Sequence, residues 1–162
     1  MIYHRLGALT IAGAVVFSFS AHAGEQPQKG RYINIPEETK CTKVEGEKGH
    51  IVCTYMMTSV AVSDDGEMRK RSVVGFLDLT NGQGPVQGHI VSTLADGSTF
   101  ASTFEGEGKI EGDRGPVMSG TYRCVSGTER FAGIECKGTF TSQRQEGGFS
   151  QGTYEGTMTL PD

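Results

Sequence analysis

The chain predicts an all-β protein, an eight-stranded antiparallel up-and-down β-barrel with an N-terminal signal peptide. Three observations carry that expectation. Apolar and polar residues alternate with a period of two through most of the chain after Thr39, the pattern of half-buried strands. Turn signals separate the alternating runs: Asp64-Asp65-Gly66, Asn81-Gly82, Asp96-Gly97 and Gly112 to Pro116. Helical periodicity is missing beyond the first residues, glycine reaches 24 copies and tryptophan is absent. Each run follows directly on the last, so the simplest topology is a meander, and closing it removes the exposed edges.

The first 23 residues read as an export signal: Arg5, an apolar run from Leu6 to Phe19, and the A-x-A site Ala21-His22-Ala23. The run is too short to be a permanent membrane span. No cysteine sits near the cleavage point, so no stable membrane anchor is expected and the product is periplasmic or extracellular. Residues 24–38 read as a flexible lead-in, with a short strand at Arg31 to Ile35 that Pro36 stops. The barrel domain is then 39–162. Its strands are expected at Thr39 to Val44, Ile51 to Val62, Arg71 to Leu79, Val86 to Leu94, Ser98 to Ile110, Val117 to Ser126, Ile134 to Ser142 and Phe149 to Leu160.

All four cysteines lie after the signal, and an oxidising compartment makes disulfides the default. Cys41 and Cys53 stand twelve positions apart, as do Cys124 and Cys136, each pair around a polar glycine-containing loop. The spacing predicts Cys41–Cys53 and Cys124–Cys136, each stapling its own hairpin. The chain has no C-x-x-C and few histidines, and Asp64, Asp65 and Glu67 read as a solvated turn, so no metal and no cofactor is expected.

The formal net charge of −4 becomes −5 once Arg5 leaves with the signal, which argues against a nucleic-acid partner. The one basic cluster, Arg69-Lys70-Arg71, reads as a solvated strand end. The period of two places Met118, Tyr122 and Cys124 inside, with Ile134, Cys136 and Phe140, and with Tyr154, Met158 and Leu160. A three-residue loop Ala95-Asp96-Gly97 would bring Ile90, Ser92 and Leu94 beside Phe100, Ser102 and Phe104 inside, leaving His89 outside. A two-residue loop would instead send His89 inward as a candidate general acid or base. The first buries more apolar surface and is preferred. Ile51 to Val62 is apolar on both faces, so a terminal segment or a second subunit is expected to cover it; homo-oligomerisation is one of these two outcomes.

The central hairpin carries a resemblance. Val125-Ser126-Gly127-Thr128-Glu129-Arg130-Phe131-Ala132-Gly133-Ile134, followed by Gly138-Thr139-Phe140, resembles the late-strand signature of the allene oxide cyclase-like barrels, and plant dirigent proteins carry a similar G-T-x-x-F element. The resemblance implies an eight-stranded barrel with a central cavity, and relatives that guide cyclisation or coupling of reactive small molecules beside others with no assigned activity. No catalytic residue transfers onto this chain. The motif also has a structural reading, in which glycines allow the turn and Phe131 plugs one end.

No nucleophile elbow and no dinucleotide loop is present. The interior candidates are Tyr55, Ser59, Ser92, Phe100, Ser102, Phe104, Met118, Tyr122, Phe140, Tyr154 and Met158. Apolar walls dotted with hydroxyls suit either a ligand cavity or a filled core. The functional expectation is an exported barrel that binds a small apolar molecule. The alternatives are a cyclase- or isomerase-like enzyme and a structural or oligomerising module.

Overall fold

A computed structural model describes residues 24–112 and 115–161; the expected signal peptide lies outside them. Eight strands run in chain order: β1 (Gln26–Lys43), β2 (His50–Ser63), β3 (Met68–Thr80), β4 (Gln83–Leu94), β5 (Thr99–Ile110), β6 (Pro116–Gly127), β7 (Glu135–Arg144) and β8 (Ser150–Thr159). Each pairs antiparallel with the next, and β8 returns to β1 to close the barrel. A 3-10 turn, Glu129–Phe131, interrupts the β6–β7 loop, and the described residues hold no α-helix.

The expectation for residues 24–38 needs correction. β1 is already a strand at Gln26, and Pro36 does not stop it. Residues Gln26 to Asn34 pair with β8, forming the seam that closes the barrel. That ladder ends at Asn34, while pairing with β2 continues through Pro36 to Lys43 across a bulge between Pro36 and Glu38. The proline's missing N–H therefore falls where β1 has run past its β8 partner, the kind of place a strand tolerates proline.

The turns follow their sequence signals. Asn81 (φ 54°) and Gly82 (φ 80°) are both left-handed, as a two-residue type I′ hairpin loop requires. The next hairpin takes the three-residue form: Gly97 has φ 85°, the Leu94 N–H donates to the Ser98 carbonyl at 3.0 Å, and Ser92 lies opposite Phe100. His89 is consequently exposed, opposite Thr103. Both expected disulfides form, with Cα–Cα separations of 4.1 Å for Cys41–Cys53 and 4.9 Å for Cys124–Cys136. Closing loops this short contributes about 2–3 kcal/mol each.

Inside, aromatic rings alternate with glycines across the strands. Tyr55 lies opposite Gly75, Phe104 opposite Gly88, Tyr122 opposite Gly138, Tyr32 opposite Gly152 and Tyr154 opposite Gly30. At each of these glycines a Cβ would meet the facing aromatic side chain. The rings thus lie against bare backbone along the wall instead of projecting into the centre.

One end of the barrel is sealed. Phe131 is buried among Leu94, Phe100, Ile134 and Met158, its ring 5.0 Å from that of Phe100. Its neighbour Arg130 points outward and ties three loops together. It pairs with Glu67 of the β2–β3 turn, reaches Asp96 of the β4–β5 turn at 3.0 Å, and donates to Ser98 Oγ at 3.3 Å.

On the outer face the apolar side of β2 continues onto its neighbours. Ile33 lies opposite Val60 and Met56 opposite Val74, all exposed. No described segment of the chain covers them.

Candidate functional site

The interior holds a cavity of about 120 Å³ for water-sized groups. Its lining runs from buried side chains at mid-barrel to Pro36, Pro116, Arg144 and Ser150, at the end opposite the Phe131 plug. All the candidates named from sequence line it except two. Ser59 is inward but fully buried, where it accepts hydrogen bonds from Arg71, and Met158 packs into the plug. Both facts follow from barrel depth, which alternation along a strand does not encode.

The structure overturns the reading of Arg69-Lys70-Arg71 as a solvated strand end. Lys70 is exposed, but Arg69 and Arg71 point inward and each keeps only 7% of its surface accessible. They follow from the same alternation that turns Val73, Leu77 and Leu79 inward on β3. The interior is therefore not an uncharged, hydroxyl-dotted chamber.

The surroundings of the two guanidiniums differ. Arg71 is fixed: its Nε and Nη2 donate to Ser59 Oγ at 3.2 and 2.9 Å, and Nη2 donates to Asn34 Oδ1 at 3.3 Å. Its plane lies over the Tyr32 ring at 4.4 Å. Asn34 is steadied by Ser150 Oγ at 3.3 Å, and Tyr32 by donating its hydroxyl proton to the Thr141 carbonyl at 2.7 Å. Arg69 stands nearer the plug, 4.8 Å from the Tyr154 ring and 5.4 Å from the Phe100 ring. Its Nε is buried with no hydrogen-bond partner. No aspartate or glutamate lines the cavity among the described residues.

The electrostatic consequences are visible in the titrating groups. Desolvation, then repulsion from Arg69, pushes Arg71 down to about 10. Burial pushes the Tyr122 hydroxyl up to about 12, against the lowering effect of both arginines, and raises Tyr32 and Tyr55 as well. None of these phenols is poised to exchange a proton near neutral pH. No three His, Cys, Asp or Glu side chains converge among the described residues.

The closed eight-stranded antiparallel barrel is a dirigent-like fold. The chain matches two solved structures of that kind. It is similar to the pterocarpan synthase dirigent protein GePTS1 at 12% identity and a TM-score of 0.51, over 94% of this chain and 100% of that one. It is similar to the pterocarpan synthase dirigent protein PsPTS1 at 11% identity and a TM-score of 0.53, over 86% and 97%. At this identity the likeness is one of fold. No family model and no curated protein matches the sequence.

Proposed function

We propose that this chain is an exported binding barrel that holds a small molecule with a mostly apolar body in its interior. The observation that carries the reading is the cavity itself, walled by Tyr55, Phe104, Tyr122, Phe140 and Tyr154 and reaching the rim at one end. Concave, largely aromatic pockets with a few fixed polar groups are the usual form of a small-molecule site. Both disulfides and the expected signal suit an oxidising compartment outside the cytoplasm.

A ring-closing or isomerising activity of the allene oxide cyclase-like kind is the second reading. It draws on the same wall, because holding a reactive chain in one folded shape is itself catalytic. The lining favours binding over proton transfer, since burial raises the phenols of Tyr32, Tyr55 and Tyr122 and the lining offers no carboxylate or imidazole among the described residues.

Native mass spectrometry of protein purified from its own host tests the binding reading. A bound small molecule released on denaturation is expected. Empty protein that also fails to bind a neutral fluorescent aromatic would overturn it.

A further inference from the structure

We propose that the cavity is built for an anion: a carboxylate-bearing molecule with a single aromatic or similarly compact apolar body, its acid group held by Arg69 and Arg71. This rests on the binding reading and adds the chemical class of the ligand.

Two inward cations share the cavity with no acid among the described residues, although acids outnumber bases over the chain as a whole. Buried guanidiniums are ordinarily paired, because desolvating a charge without a partner is costly. Here Arg71 is oriented by neutral acceptors and an aromatic face, which position a charge but do not neutralise it. Among the described residues Arg69 is held by stacking on Tyr154 and Phe100, and its buried Nε–H donates to nothing. A planar guanidinium edge matches the two oxygens of a carboxylate. An anion at this place would accept a hydrogen bond from that N–H and screen each arginine from the other.

The size of the chamber limits the rest of the ligand. One water-sized sphere fills about 10–15 Å³, so a chamber of about 120 Å³ is on the scale of roughly ten such groups. That is about the non-hydrogen content of benzoate or cinnamate. The body would lie among the tyrosine and phenylalanine faces with its far end toward Pro116 and Arg144.

The test is calorimetric titration of the purified protein with benzoate and cinnamate, each beside its neutral amide of nearly identical shape. The acids are expected to bind about tenfold or more tightly than the amides. In Arg69→Met and Arg71→Met that preference should shrink, the acids losing more affinity than the amides. Empty Arg69→Met should melt no lower than the wild type, since it removes an unneutralised charge, whereas Arg71→Met also strips Ser59 and Asn34 of a donor and is expected to melt lower. Equal binding of acid and amide by the wild type would overturn the anion site and leave the binding reading standing. Failure of acids and amides alike, with empty protein from the host, would overturn both. A large fall in melting temperature in Arg69→Met would show that this arginine serves the fold, and would also overturn the proposal.

Discussion

Tyr55 and Gly75 show how single positions shape the interior. A methyl at Gly75 would overlap the Tyr55 ring, and no other neighbour stands so close. Gly75→Ala is expected to cost about 1–3 kcal/mol in denaturant unfolding, as overpacking does. The same change made with Tyr55→Leu should cost far less, a coupling that a double-mutant cycle reads directly. The pattern is legible in the sequence as glycine and aromatic residues two apart: Gly30 and Tyr32, Gly120 and Tyr122, Gly152, Tyr154 and Gly156. Period-two reasoning found the aromatics and passed over the glycines, which are what keep the centre from filling. The same period runs from Arg69 through Arg71, Val73 and Gly75 to Leu79, so the inward arginines were equally legible. They were missed because unpaired charge is so seldom buried that composition outweighed position.

Among the elements, hairpins were read from sequence more accurately than the first strand. Asn81-Gly82 and Ala95-Asp96-Gly97 fix their registers through local backbone geometry, and local geometry is written in local residues. β1 depends on β8, more than a hundred residues away, and Pro36 looks like a terminator until the end of that ladder at Asn34 is known. One element contact is sensitive to pH. His50, at the start of β2, lies 2.6 Å from Glu47 in the preceding turn and 2.6 Å from Asp78 near the end of β3. Hydrogen bonds first to Glu47 and then to Asp78 raise its pKa above 6.5. A raised cation contributes stability that is fully present below the unfolded value and is lost as pH climbs through the folded one. The denaturation midpoint should therefore fall as pH rises from the ordinary imidazole range through the raised folded-state value, and His50→Gln should flatten that slope.

For the whole molecule, seven of the eight strand pairings join neighbours in sequence, and only β1–β8 spans the chain. Closure of the barrel hangs on that one long-range ladder, whose β1 side also delivers Tyr32 and Asn34 to the cavity. A chain that starts at Pro36 would leave β8 and β2 as open edges, which invite pairing with other molecules. It is expected to lose its single cooperative melting transition and to self-associate in sedimentation. A truncated protein that stays monomeric and melts cooperatively would show that the seam is dispensable. Topology and strand number were legible in the sequence because a meander needs only nearest-neighbour inference. Whether the middle was hollow was not, since eight strands permit either a solid or an open centre. The glycines facing each ring decide it here.

The stopper built from Phe131, with Arg130 lashing the surrounding loops to one another, leaves the vessel a single doorway. Whatever enters must leave by reversing its path, and a newcomer has to wait for the occupant to depart. Exchange should then proceed one molecule at a time, at a pace set by the departing guest and indifferent to how concentrated its replacement is.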